Sequence, residues 1–98
     1  MGNDSSYDTG GAAGRSPFAP PIKRSVTIAG HQTAISLEPI FWDALRAEAV
    51  RRDLPVNALI ARIDLDRISA DPAPNLASAI RCWLFDGAVR QADKNYSQ

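Results

Sequence analysis

Apolar and polar positions alternate from Arg24 to Leu37, where the chain reads Arg-Ser-Val-Thr-Ile-Ala-Gly-His-Gln-Thr-Ala-Ile-Ser-Leu and β-branched residues are frequent. A period of two in such residues predicts strand, and the central glycine predicts a β-hairpin. With Gly30-His31 as a two-residue type II′ turn, Val26 lies opposite Ile35 and Ile28 opposite Thr33, giving one apolar face. Ser25 opposite Ser36, Thr27 opposite Ala34 and Ala29 opposite Gln32 then make a second face of short side chains. That face has no core to bury.

Beyond Leu37 the period becomes helical. Pro39 suits a first helical turn, and Phe41, Leu45 and Ala49 recur every fourth residue with Trp42 beside them, which predicts an amphipathic helix from Glu38 to Arg52. Leu54-Pro55 ends it, because a residue before proline avoids the α region. A second helix is predicted to begin at Pro55 and run through Asp64, with Val56, Leu59, Ile60 and Ile63 on its apolar side. Asp71-Pro-Ala-Pro74 breaks the chain, and Asn75 reads as the cap of a third helix from Leu76 to about Arg90, with Leu76, Ile80, Trp83, Leu84 and Ala88 at helical spacing. The predicted order is hairpin, helix, helix, helix, an α+β class with one domain over residues 22–90.

Residues 1–21 hold glycine, serine and proline with few bulky apolar side chains, so they read as a disordered tail, and the polar residues 91–98 as a frayed end. The foldable remainder, about 70 residues, is a size at which a lone core is marginal and disulfides, metals or oligomerisation commonly assist. The single Cys82 cannot form an internal disulfide, and one cysteine with one histidine cannot complete a zinc site, so no metal or cofactor is expected. Oligomerisation remains. A second copy of the chain can extend the sheet along the open edge of the strand Gln32–Leu37. No apolar run is long enough to cross a membrane and no signal-peptide pattern opens the chain, so a cytoplasmic location without a membrane partner is expected.

The 98 residues carry equal numbers of acidic and basic side chains, which by itself argues against a nucleic-acid partner. Their distribution argues the other way. From Thr9 to Leu37 there are Arg15, Lys23, Arg24 and His31 but no acid. No nucleophile elbow, phosphate-cradling glycine loop or histidine pair is present, and Asp64 and Asp66 fall on different helix faces, so no catalytic residues and no enzyme activity are expected. His31 reads as a solvated turn residue, with a phosphate contact or a pH-sensitive role as the alternative. Cys82 reads as a small buried hydrophobe, Phe41, Trp42 and Trp83 as core or interface, and Arg51-Arg52 as complements to a helix dipole. Arg62 and Arg67 read as surface partners of Asp64 and Asp66.

The stretch from Thr33 to Ile63, an alternating strand, a short break, a helix, a tight turn and the helix Ala-Leu-Ile-Ala-Arg-Ile, resembles a ribbon-helix-helix domain. Lys23-Arg-Ser-Val-Thr-Ile-Ala-Gly-His-Gln-Thr-Ala-Ile-Ser-Leu-Glu38, with Phe41-Trp-Asp-Ala-Leu45 and Asn75-Leu-Ala-Ser-Ala-Ile-Arg81, is similar to a group of short alphaproteobacterial proteins of that family with an added amino-terminal strand. The resemblance spans about residues 22–90. It implies an intertwined homodimer in which one strand per chain pairs across a two-fold axis and the ribbon enters the major groove of double-stranded DNA as a transcription regulator.

Residue by residue, the resemblance places Gln32, Ala34 and Ser36 against base edges, with Thr33, Ile35 and Leu37 pointing inward. Gln suits adenine, and Ser and Ala suit close contact or a thymine methyl. Lys23, Arg24, Val56 and Asn57 take the phosphate contacts. Pro55 stands where the family often has a Ser or Thr cap and removes one donor, while Val56 and Asn57 keep theirs. The dimer core implied is Val26, Ile28, Ile35, Leu37, Phe41, Trp42, Leu45, Leu59, Ile60 and Ile63. The alternative is a dimeric interaction module, antitoxin-like or an adaptor, that binds a protein partner through the amino-terminal tail or the third helix with DNA binding secondary or lost.

Overall fold

In the computed structural model, residues 16–96 are described. Residues 1–15, most of the expected tail, lie outside them. Two antiparallel strands, β1 (Ile22–Ile28) and β2 (His31–Leu37), are followed by α1 (Pro39–Arg51), α2 (Val56–Ser69) and α3 (Leu76–Tyr96). The α+β order of hairpin and three helices is that predicted from the pattern.

The hairpin turns one residue earlier than predicted. Ala29 and Gly30 both have positive φ, 51° and 84°, the signature of a type I′ turn, whose twist matches that of the flanking strands. The register is therefore Ile28↔His31, Val26↔Thr33, Arg24↔Ile35 and Ile22↔Leu37 on one face, and Thr27↔Gln32, Ser25↔Ala34 and Lys23↔Ser36 on the other. This corrects Val26 opposite Ile35 by a slip of two residues. A slip of two leaves every side chain on its own face, whereas a slip of one would have exchanged the faces. His31 is consequently not a turn residue but the first residue of β2, on the inner face opposite Ile28.

Helix α1 starts from Glu38, whose extended backbone accepts hydrogen bonds at its carbonyl from the N–H groups of Phe41 (2.9 Å) and Trp42 (3.1 Å), with Pro39 in the first turn. It ends in a Schellman motif. Asp53 has a φ of 57°, its N–H donates to the Val50 carbonyl (3.0 Å), and the Leu54 N–H donates to the Ala49 carbonyl (2.9 Å). Pro55 is extended and caps α2 instead of forming its first helical residue, so α2 starts at Val56 and continues to Ser69, beyond the predicted Asp64. Asn75 caps α3 as expected, its side-chain oxygen accepting from the Ser78 N–H at 2.8 Å. The third helix passes the predicted end at Arg90 because nothing breaks it, and Arg90–Asp86 and Gln91–Asn95 pairs at four-residue spacing support the added turns.

The core lies between the inner face of the hairpin and the three helices. Val26, Ile35, Leu37, Trp42, Leu45, Ala49, Leu59, Ile60, Ile63 and Ile80 are buried, and Ile28, Phe41, Val56, Leu76, Trp83 and Leu84 pack around them. Each fully buried Leu or Ile contributes about 1.5–3 kcal/mol. Helix α2 packs on β1 and on both other helices, and α3 packs on β2, so a single chain covers most of the apolar hairpin face. Eight of the ten residues expected in a dimer core are thus buried within one chain, while Ile28 and Phe41 are half-buried. Cys82, expected to be buried, is exposed on α3.

Candidate nucleic-acid interface

The outer face of the hairpin is built by β1 residues Lys23, Ser25 and Thr27 beside β2 residues Ser36, Ala34 and Gln32, cross-strand partners in that order. All are exposed except Ser36, which is half-buried. The three residues expected at base edges are therefore brought together in one row, with the buried Val26, Ile35 and Leu37 on the opposite face anchoring the hairpin to the core. No acidic residue lies in either strand.

Lys23 and Arg24 part company. Lys23 stands on the outer face opposite Ser36, whereas Arg24 is on the inner face opposite Ile35, its guanidinium carbon 5.6 Å from the centre of the Trp42 ring. This cation–π contact at the rim of the core holds Arg24 away from the polar row. Trp42 in turn donates from Nε1 to the Ile22 carbonyl at 2.9 Å, pinning the start of β1 to α1. Neither contact is visible in a hydropathy pattern, which registers Trp42 as an apolar position and nothing more.

Electrostatics separate the hairpin from the helices. Arg46, Arg51, Arg52, Arg67, Arg81 and Arg90 each form an ion pair with Asp43, Glu48, Glu48, Asp64, Glu38 and Asp86 respectively. The expected Arg67 partnership thus forms, while Arg62 makes no ion pair among the described residues. Arg52 also stacks over Trp83 at 4.9 Å, so the Arg51-Arg52 pair does more than face a helix dipole. Among the described residues Lys23 has no acidic partner, so beneath the zero net charge six arginines of the helical part are paired with acids while Lys23 on the outer face of the hairpin is not. Glu38, at the junction of β2 and α1, has its carboxyl held below the ordinary value by a backbone hydrogen bond and by Arg81, whose Nε donates to it at 3.0 Å.

Val56 and Asn57, expected at phosphates, occupy the first turn of α2, which has no side-chain cap. Val56 is half-buried and Asn57 exposed. The first N–H with an intrahelical partner is that of Leu59, bonded to the Pro55 carbonyl at 3.1 Å, leaving the amides before it for solvent or an anion. Among the described residues no cluster of His, Cys, Asp and Glu could hold a metal, and no helix is long and apolar enough to cross a membrane.

A chain with this hairpin, this helix order and a polar ribbon face has the architecture of a ribbon-helix-helix protein. The model of the ribbon-helix-helix domain matches residues 21–87, both strands, α1, α2 and the first half of α3, and the chain belongs to that family. No curated protein and no solved structure matches it. Members of the family are typically DNA-binding regulators, generally bind DNA as dimers, and do not form an enzyme family.

Proposed function

We propose that the protein is a sequence-specific DNA-binding transcription regulator of the bacterial cytoplasm, acting as a homodimer whose paired β2 strands lie in the major groove. The observation that carries this reading is the acid-free outer row, with Gln32, Ala34 and Ser36 side by side and beside them Lys23, which has no acidic partner among the described residues. A two-stranded ribbon fits the major groove, and Gln32 can bond the edge of an adenine in two places. Lys23 and the open amides of Val56 and Asn57 fit phosphates. Arg24, turned to the inner face against Trp42, stands apart from this set.

Binding to random duplex DNA at rising salt tests the reading. Affinity is expected to fall steeply with salt, and micromolar protein without any binding at low salt refutes it. Gln32→Ala is expected to relax base preference, since a bidentate pair with a base discriminates by about 1–3 kcal/mol.

A second reading, a dimeric module for a protein partner reached through α3, is favoured by one feature. Phe85 and Val89 are exposed at 69% and 41% on one side of α3, and an open groove of about 780 Å³ between α1 and α3 is lined by small residues such as Ala44 and Gly87 together with charged ones such as Glu48, Arg51 and Arg90. Phe85→Glu is expected to leave DNA binding unchanged under the first reading and to abolish function under the second.

A further inference from the structure

Building on the dimeric ribbon reading, we propose that β1 is a phosphate-gripping flank: in the complex Ser25, Thr27 and Lys23 meet the sugar-phosphate walls of the groove while β2 faces the bases. The argument starts from width. If β2 pairs with β2 of a second copy, the sheet has the order β1, β2, β2, β1. Neighbouring strands lie about 4.8 Å apart, so the two β1 strands are about 14 Å apart. The major groove is about 12 Å wide. Both flanking strands then lie over the groove walls, where phosphates stand, and not over base edges.

The chemistry of β1 fits that position. Ser25 and Thr27 carry exposed hydroxyls with no hydrogen-bond partner among the described residues, and Lys23 is exposed and unpaired. Their backbones point the same way. The type I′ turn joins Ile28 and His31 in a hydrogen-bonded pair, so Val26↔Thr33 and Arg24↔Ile35 also bond within the hairpin. The alternate residues Lys23, Ser25 and Thr27 therefore direct their N–H groups to the open edge of β1. Two hydroxyls and one ammonium on the outer face and three amides along the adjoining edge, with no carboxylate in either strand, make a donor set for phosphate oxygens. The short side chains also let the edge approach closely; larger ones would lift the sheet away from the bases.

The test uses the full chain and a panel of duplexes, with a site selected from random DNA and scrambled versions of it. The double variant Ser25→Ala, Thr27→Ala is expected to weaken binding to every duplex by the same factor, about tenfold or more, without changing the slope of log affinity against log salt, since the removed groups are neutral. Thr27→Ser is expected to retain wild-type affinity. Lys23→Ala is expected to flatten the slope by about two per dimer. Phosphate ethylation is expected to interfere on both strands at the groove walls beside the base pairs to which Gln32 variants respond. Affinity of the double variant within twofold of wild type overturns the flanking role while leaving the ribbon reading intact, provided Gln32→Ala still shifts base preference. A changed base preference in the double variant also overturns it, since β1 would then read bases. Absence of any wild-type binding overturns both.

Discussion

Ala29 and Asp53 hold left-handed backbones, φ 51° and 57°, at two points that fix how elements meet: the hairpin turn and the end of α1. A non-glycine side chain in that region costs about 1 kcal/mol, and Asn tolerates it better than Ala. Ala29→Asn, giving Asn-Gly in a type I′ turn, is expected to raise stability by about 0.5–1 kcal/mol, read as a higher urea midpoint with an unchanged slope. The register of the hairpin was hard to read for the same reason. Gly30 satisfies either turn type, and nothing about an alanine announces positive φ, so Gly30-His31 and Ala29-Gly30 were equally open to a pattern argument. Glu38 makes a separate prediction. Its folded carboxyl titrates below the ordinary value, so its contribution to stability is complete above the ordinary 4.5 and is lost as pH falls through the lower folded value. Glu38→Gln is expected to flatten that part of an acid-unfolding curve and leave the neutral-pH fold intact.

At the scale of elements, the hairpin and α1 behave as one unit because Trp42 joins them. Its indole donates to the Ile22 carbonyl and its ring supports Arg24, so the strand that opens the fold is tied to the helix that follows it. Trp42→Phe keeps most of the apolar volume but removes the donor. A destabilisation of about 1–2 kcal/mol is expected, with the amides of β1 exchanging hydrogen faster than those of α2. A uniform increase in exchange would count against this local linkage. The elements themselves were legible because their limits have chemical causes in single residues: Pro39 opens α1, Pro55 separates α1 from α2, and Asn75 caps α3. The end of α3 was less legible, since polar residues after Arg90 resemble a tail in hydropathy yet include the good helix formers Gln91, Ala92 and Lys94 at a spacing that allows side-chain pairs. The side-chain contacts that turn Arg24 inward were not legible at all, because they depend on a tertiary approach of β1 to α1.

For the whole molecule the proposed dimer turns on which surface would join two chains, since most of the expected dimer core is already covered within one. Under the proposed function that surface is the open edge of β2, which would also form the ribbon. By the alternation that starts at the Ile28↔His31 pair, Gln32, Ala34 and Ser36 send their N–H and C=O groups away from β1, so the hairpin does not need the Ala34 amide. Proline at an edge position whose N–H faces outward is tolerated by a strand but cannot donate to a neighbour. Ala34→Pro is therefore expected to keep the helical circular dichroism and a cooperative unfolding transition, to sediment as a monomer at concentrations where wild type is a dimer, and to lose DNA affinity steeply. A variant that remains dimeric would place the joining surface on the helices, where Leu65 and Ile68 of α2 are 67% and 58% exposed, and Leu65→Glu would then be the substitution that separates the chains. Monomeric wild type across micromolar concentrations would remove the basis for a paired ribbon, because a lone two-stranded hairpin offers a base-reading row from one copy of β2 alone.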